Sequence, residues 1–363
     1  MNHDDPQPTP GRLPWHTATI ATVRSFYHFR PAPAPRWPVA IQAALSIAAP
    51  IAVMSALGRP EIGYQAATGA FTALHLSHLR PRERAKALPL VALALIAAGA
   101  FGVLVGPSVP WTLIGLALIT VLASVLVYGL RLGPPGPLFF VLVFGVAAHV
   151  AAVAPEFSAP RFLLALAGGC VFSYLLALTP LLRRRVRREP ARPLRVLLPK
   201  PEWDAGTRTM IGRAAVVGIV GALVGIAVDP DRAYWIVGSG IAVAGIAIER
   251  RVAVSRGLHR TVGTLAGAGL YFVLALVPWA GLALAGLLGT LQFLVELLIV
   301  RHYALALTFI TPMVLLLTGA ATGEIGSGVI AAERIVDTLV GAALGIIATL
   351  VLSLRDARRT SPG

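Results

Sequence analysis

Long apolar runs constrain this chain more than any other feature of its sequence. Residues 87–106 and 111–130 contain no charged side chain, and similar runs recur along the whole length. A helix of about 20 apolar residues spans the hydrocarbon core of a bilayer. Only 13% of the 363 residues are charged, whereas soluble domains carry about 25%. The sequence therefore predicts an all-α, polytopic membrane protein.

Glycine, proline and charged residues divide the apolar runs into twelve predicted spans. The first six cover residues 37–57, 62–78, 87–106, 111–130, 137–154 and 160–182. The second six cover residues 209–228, 233–249, 257–277, 279–300, 303–320 and 329–352. Spans 2, 5, 8 and 11 are short, so a count lower by one pair is the alternative.

These spans divide the chain into two membrane units and three polar segments. The membrane units are residues 37–182 and 209–352, and a basic linker, residues 183–208, joins them. The terminal tails are residues 1–36 and 353–363. Residues 14–29 within the first tail are either a short amphipathic helix at the membrane surface or a disordered segment.

Basic residues favour one side of the predicted membrane. If the chain begins inside, 26 of the 31 Lys and Arg residues fall on the inner side and four fall on the outer side. This bias predicts that both termini are cytoplasmic. The net charge of +15 is then explained by topology, and nucleic-acid binding is not expected. Residues 183–188 (R-R-R-V-R-R) are predicted to contact anionic lipid headgroups.

The two membrane units resemble each other. Residues 63–70 (G-Y-Q-A-A-T-G-A) match residues 233–240 (A-Y-W-I-V-G-S-G) at an offset of 170. The segment from Arg161 to Gly168 matches that from Arg334 to Gly341. Because each unit has an even number of spans, the units are predicted to be parallel repeats, with a binding site or pathway between them. Leu164 occupies the position that Asp337 holds in the second unit, so the carboxylate is an asymmetric addition.

The second half resembles a known family. The ordered segments that carry the likeness are A-Y-W (233–235), R-T-V-G-T-L-A-G (260–267), V-E-L-L-I-V-R-H-Y-A-L-A-L-T-F-I-T-P (295–312) and E-R-I-V-D-T-L-V-G (333–341). They resemble the fusaric acid resistance protein-like family, which includes the aromatic acid exporters. The resemblance implies an inner-membrane protein of two six-helix halves that exports aromatic carboxylic acids. Plant anion channels of the aluminium-activated malate type are similar in their membrane part.

Arg334 and Asp337 are the charged residues that most need an explanation. They share one helix face, which continues through Gly341 and Gly345. Small residues at this spacing let membrane helices approach closely, so we expect this face to contact another helix. A charge near the bilayer centre costs about 2.5–3.5 kcal/mol on insertion scales. Either Arg334 binds a carboxylate and Asp337 exchanges a proton, or the two form an ion pair that fixes the interface.

Glu296 and Arg260 lie near the inner ends of their predicted spans. Glu296 is a second candidate for proton coupling, because desolvation makes a lone carboxylate easier to protonate. The alternatives are snorkelling of its side chain to the membrane surface and an ion pair with Arg301 or Arg260. Arg260 opens a glycine-rich face and is a candidate for carboxylate binding through its bidentate fork. Its alternative role is to determine topology.

Three further residues are candidates for substrate contact. Tyr234 and Trp235 form either a stacking surface for an aromatic substrate or part of the aromatic belt at the membrane interface. Thr311 precedes Pro312, which cannot donate to the carbonyl of Thr308. A helix broken there would line a cavity; alternatively, the threonine hydroxyls satisfy the freed carbonyl.

Signatures of enzymes are absent from the sequence. It contains no phosphate-binding G-x-x-x-x-G-K-[ST] loop, no paired metal-ligand spacing and no G-x-S-x-G elbow. With a single cysteine, Cys170, we expect no disulfide, metal or cofactor. The residues and the resemblance together predict a proton-coupled secondary transporter that exports organic anions. A passive anion channel and a non-transporting membrane scaffold are the alternatives, and a homo-oligomer is compatible with each.

Overall fold

The computed structural model describes residues 23–31, 35–154, 156–245 and 249–359, with side chains as far as residue 352. Every regular element within these ranges is helical, which confirms the all-α class. Residues 14–22 of the predicted surface helix lie outside the described part of the chain. Residues 23–25 form a single helical turn.

The first half and the linker contain nine helices among the described residues. They are α1 (Trp37–Ala56), α2 (Pro60–Ala67), α3 (Phe71–Leu74), α4 (Pro81–Val105), α5 (Val109–Gly129), α6 (Leu138–Val153), α7 (Ala159–Ala177), α8 (Arg184–Arg188) and α9 (Leu194–Leu197). Proline in the first turn begins α1, α2, α4, α5 and α7, where its missing N–H has no helical partner to lose.

The second half contains six helices within its described residues. They are α10 (Ala205–Val228), α11 (Ala233–Ala244), α12 (Arg250–Leu274), α13 (Gly281–Leu298), α14 (Tyr303–Thr322) and α15 (Gly328–Arg359). The Asp204 side chain accepts from the Thr207 amide and caps α10. Gly323 ends α14 with a φ of +77°, a conformation that glycine adopts without a steric penalty.

Eight helices within the described ranges are long and apolar enough to cross a membrane. They are α1, α4, α5, α7, α10, α13, α14 and α15. The apolar helices α6 and α11 are shorter, and the predicted second span is divided into α2, a 3-10 turn at Thr68–Ala70 and α3. The chain is therefore a multi-pass membrane protein, whereas the total of twelve spans stays a prediction.

The same helix pairs pack against each other in both halves. Helix α4 packs on α6 as α12 packs on α14, α2 packs on α7 as α11 packs on α15, and α1 packs on α2 as α10 packs on α11. Between the halves, α1 packs on α13 and α5 packs on α10. These matched pairs support the predicted repeat. We call inner the end of the bundle where Arg192 of the linker binds Glu83 at 2.8 Å, and outer the opposite end.

Glycine contacts correct the register of the predicted repeat. A Cβ on Gly341 would lie 2.2 Å from the carbonyl oxygen of Ile236, so α15 and α11 are in close contact. In the first half Gly169 makes this contact with Ala66, and Gly168 faces open space. The alignment of Gly168 with Gly341 is therefore out of register by one residue, a rotation of about 100° around the helix.

This rotation separates the two arginines that the sequence had paired. Arg161 is exposed, whereas Arg334 is buried. In the corrected register the first-half counterpart of Arg334 is Phe162, which is buried. The two halves therefore present an apolar and a cationic residue at equivalent positions.

Candidate functional site

A cavity of about 1630 Å³ lies between the two halves of the chain. Its first-half wall combines apolar residues, such as Phe71, Phe139 and Phe162, with charged ones such as Glu61 and Arg161. Its second-half wall combines apolar residues with a polar and aromatic group that includes Tyr234, Trp235, Ser239, Arg260, Tyr303 and Arg334. The cavity is therefore amphipathic and occupies the interface where the sequence predicted a site.

Arg260 projects from α12 into the cavity and is held by neutral groups. Its side chain donates to the Tyr303 hydroxyl at 3.1 Å and to the Ser239 hydroxyl at 3.0 Å. Its Nε has no hydrogen-bond partner in the described part of the chain. The residue is only 6% exposed, so it lies inside the protein rather than among lipid headgroups.

The glycines that follow Arg260 allow α12 and α14 to lie close together. A Cβ on Gly263 would lie 2.3 Å from the carbonyl oxygen of Ala304. This contact confirms the predicted small-residue face of α12. It also brings Tyr303, at the start of α14, within reach of the Arg260 guanidinium.

Arg334 projects from α15 onto an aromatic ring. Its guanidinium carbon lies 4.9 Å from the centre of the Trp235 ring, and its Nε has no hydrogen-bond partner among the described residues. The alternative of an Arg334–Asp337 ion pair is wrong, because the two side chains form none and neither oxygen of Asp337 has a hydrogen-bond partner among the described residues. The guanidinium contacts the Trp235 face instead.

Asp337 lies one turn further along α15 and is fully buried outside the cavity lining. The charged groups within electrostatic range of its carboxyl are Asp229, Arg334 and Arg232. The hydroxyl of the adjacent Thr338 also has no hydrogen-bond partner among the described residues. A buried carboxylate without donors is costly unless it takes up a proton or pairs with a cation.

The face of α15 that carries Asp337 packs on α11, as predicted. A Cβ on Gly345 would lie 2.6 Å from the carbonyl oxygen of Gly240. At the outer end of the same interface, Arg232 and Glu333 form an ion pair. These contacts fix the position of Arg334 and Asp337 relative to Trp235.

Glu296 lines the inner end of the cavity and has a different partner from those expected. Its Oε2 accepts from Arg36 at 2.8 Å, and Gln292 donates to its other oxygen at 3.4 Å. The alternative of pairing with Arg301 or Arg260 is therefore wrong. Since α1 begins beside Arg36 and belongs to the first half, the ion pair joins the two halves.

Tyr234 and Trp235 are enclosed by protein, with exposures of 6% and 3%. Both line the cavity, so the interpretation of an aromatic belt facing the membrane interface is wrong. Gly145 of α6 lies directly against the Tyr234 ring, because a Cβ there would be 2.1 Å from its Cγ. The ring therefore contacts both halves of the chain.

Thr311 does not contribute to the cavity wall. It is 1% exposed, and its Cβ would lie 2.7 Å from a Cβ on Gly267, which places it between α12 and α14. Helix α14 continues through Pro312, so the expectation of a broken helix is wrong. The hydroxyl of Thr308 donates to the carbonyl of Ala304.

Three residues at the site were not selected from the sequence. Tyr303 and Ser239 position Arg260, and Arg256 lies 3.8 Å above the Tyr303 ring. No local pattern connects Arg260 to Tyr303, since 43 residues separate them. The one available signal was the Tyr303–Ala304 pair, which belongs to the family-like segment 295–312.

These observations define a class of protein, a multi-pass helical membrane protein with cationic side chains in a cavity between its two halves. Residues 208–348 match the fusaric acid resistance protein-like family, so the resemblance found in the sequence is confirmed for α10–α15. The second half of the chain is therefore similar to this family.

A curated relative supports the assignment as a membrane protein. The uncharacterized membrane protein YvaC of Bacillus subtilis (strain 168) is 32% identical over 161 residues, which is 44% of this chain and 25% of the relative. The match thus spans about a quarter of the relative's length. No solved structure matches the chain.

Proposed function

We propose that the chain is a secondary transporter that exports small organic anions in exchange for protons. The observation that carries the proposal is the pair of buried arginines in the cavity. Arg260 and Arg334 lie within electrostatic range of each other, and among the described residues no carboxylate forms an ion pair with either. Two like charges in a poorly solvated site are costly, and a bound anion offsets that cost.

The chemistry of the walls favours an organic anion over a small inorganic one. A planar guanidinium binds a carboxylate through two parallel hydrogen bonds. The opposite wall contributes apolar rings, with Phe139 and Phe162 among them. A carboxylate attached to an apolar or aromatic body matches both surfaces, and the Tyr234 and Trp235 rings supply further apolar contact.

Asp337 is the residue that we assign to proton coupling. It is one turn from Arg334, so an anion arriving at Arg334 changes the electrostatic environment of the carboxyl. By linkage, whatever alters protonation at Asp337 alters anion affinity at Arg334 by the same factor. Glu296 has the weaker case for this role, because its ion pair with Arg36 gives it a structural function.

The two halves are proposed to move against each other around the cavity. Parallel repeats with both termini cytoplasmic are supported by the matched helix pairs and by the charge bias along the sequence. The exposed basic helix α8 is proposed to anchor the linker on anionic headgroups. The Arg36–Glu296 ion pair closes the interface between the halves at the inner end.

Transport measured in liposomes tests this proposal. The purified full chain is reconstituted, a pH gradient is imposed, and uptake of a hydroxybenzoate-type acid is followed. We expect saturable accumulation that a protonophore abolishes and that Asp337→Asn uncouples from the gradient. Unitary anion currents in planar bilayers that are indifferent to Asp337→Asn would identify a channel. Absence of any flux would identify a scaffold.

A further inference from the structure

The segment that precedes α1 is bound to the inner end of the second half. Ser25 is hydrogen-bonded to Nε2 of His259 at 2.8 Å. Nε2 of His302 donates to the Phe26 carbonyl at 2.8 Å, while its Nδ1 accepts from the Leu305 amide. The segment is therefore attached to the first half of α12 and to the start of α14.

Four rings hold this segment in place. Phe26 lies 4.0 Å from His259, His259 lies 5.9 Å from His302, and Phe29 lies 5.1 Å from His302 between ring centres. The next anchor along the chain is the Arg30 amide, which donates to the Arg301 carbonyl at 3.0 Å. Tyr27, between the two phenylalanines, is 80% exposed and takes no part in this ring array.

The segment covers a basic part of the cavity. Ser25, His28 and Arg30 belong to its lining. The helix ends around them contribute further basic lining residues, namely Arg251, Arg256, Arg260 and Arg301. An anion that enters from the inner side must pass this region to reach Arg260.

We propose that residues 25–30 form an inner gate, which breaks its contacts with His259 and His302 to admit the anion. This inference rests on the proposed function and adds a moving part to it. The contacts described above for the gate include two side-chain hydrogen bonds, one backbone hydrogen bond and ring contacts at a partly exposed surface. Local opening of such a segment requires far less free energy than unfolding of the helices beneath it.

Accessibility of a cysteine in the cavity tests the gate without requiring transport. Ile310→Cys places a thiol on the lining of the cavity in α14, and the native Cys170 is fully buried. A membrane-impermeant maleimide is added to inside-out and to right-side-out vesicles that contain the full chain. The rate of labelling is compared among the parent, Phe26→Ala/Phe29→Ala and the matched control Tyr27→Ala.

We expect the double substitution to raise the labelling rate about tenfold, since two ring contacts are lost, and only in inside-out vesicles. Tyr27→Ala should leave the rate unchanged. An unchanged rate in the double variant, or an increase from the outer side, would overturn the gate. Faster labelling without any anion flux would retain the gate and contradict only the proposed transport.

A tether provides the converse measurement. Ser25→Cys and His259→Cys are joined through two disulfides by a short bis-methanethiosulfonate reagent, which holds the segment against α12. Labelling at position 310 of the Ile310→Cys background, read by peptide mass spectrometry, should be slower in the bridged protein than after reduction and removal of the reductant. Equal rates at position 310 before and after reduction would show that the segment does not control access.

Discussion

The Arg334 guanidinium lies 4.9 Å above the Trp235 ring, although Asp337 is one turn away on the same helix. An aromatic face attracts a cation without neutralising its charge. The arginine is therefore held in position while it stays available to an anion. The same arrangement leaves the Asp337 carboxyl without a hydrogen-bond donor among the described residues.

Removing the aromatic support should weaken anion binding. Trp235→Leu removes the ring that the Arg334 guanidinium contacts. We expect affinity for an aromatic carboxylate to fall about 5–30-fold, the equivalent of about 1–2 kcal/mol. Trp235→Phe should recover part of the loss because it keeps a ring. Isothermal titration of the detergent-solubilised protein measures both. Trp203→Leu, at a 49% exposed linker position, is the control, and equal losses in the two tryptophan variants would contradict a specific role.

Tyr303 should act through Arg260. Tyr303→Phe removes the hydroxyl that accepts from Arg260 at 3.1 Å, so the guanidinium loses one of its two positioning bonds. We expect an anion affinity about 3–10-fold lower, equivalent to the usual worth of one hydrogen bond, with little change in thermal stability.

The matched control for Tyr303 is another buried tyrosine. The Tyr271 hydroxyl accepts from the Gly326 amide at 2.8 Å, and Tyr271 is not part of the cavity lining. Tyr271→Phe should lower the free energy of unfolding by about 1 kcal/mol and leave anion affinity intact. If Tyr271→Phe weakened binding as much as Tyr303→Phe, the assigned role of Tyr303 would be incorrect.

Alanine substitutions can test the corrected register of the repeat. Gly341→Ala and Gly169→Ala place a Cβ against backbone oxygens at 2.2 Å and 1.9 Å, so each should destabilise the protein by about 1–3 kcal/mol. Gly168→Ala meets nothing within 4 Å and should be neutral or stabilising, because alanine favours a helix. Thermal unfolding in detergent distinguishes the variants. If Gly168→Ala destabilised the protein, the alignment of Gly168 with Gly341 would be correct after all.

The ion pair between the halves should show measurable coupling. A double-mutant cycle with Arg36→Gln and Glu296→Gln is expected to give a coupling energy of about 1–3 kcal/mol, since their side chains are 21% and 8% exposed. The pair of Arg131 and Glu202, with side chains 53% and 56% exposed, should show almost none because water screens it. Similar coupling energies in both cycles would contradict the view that the Arg36–Glu296 pair stabilises the interface more than an exposed ion pair does.

The sequence predicted much of the fold because its signals are local. Apolar runs and prolines located α5 closely, predicted at 111–130 and observed at Val109–Gly129. Helices α4 and α12 begin at Pro81 and Arg250, before the predicted residues 87 and 257, because their first turns are polar. The spacing of Gly341 and Gly345 correctly predicted a packed helix face. Such patterns depend on neighbours within one or two turns, so they can be read without knowledge of the tertiary structure.

Contacts between distant segments could not be predicted in this way. Arg36 and Glu296 are 260 residues apart, and no spacing rule connects them. Whether Arg334 turns toward Asp337 or toward Trp235 depends on the position of α11, which packing determines. The one-residue error at Gly168 has the same origin, since two adjacent glycines match the pattern equally well and only helix contacts distinguish them.

Binding of a carboxylate to the two cavity arginines is the most direct test of the central claim. Titration of a hydroxybenzoate-type acid into the purified full chain should give saturable binding, and Arg260→Gln and Arg334→Gln should each weaken it about 10–100-fold. Arg161→Gln removes an equally charged but exposed residue of the cavity rim and should leave affinity nearly unchanged. If Arg161→Gln weakened binding as strongly as the other two, or if neither Arg260→Gln nor Arg334→Gln had an effect, the arginine pair would not be the anion site.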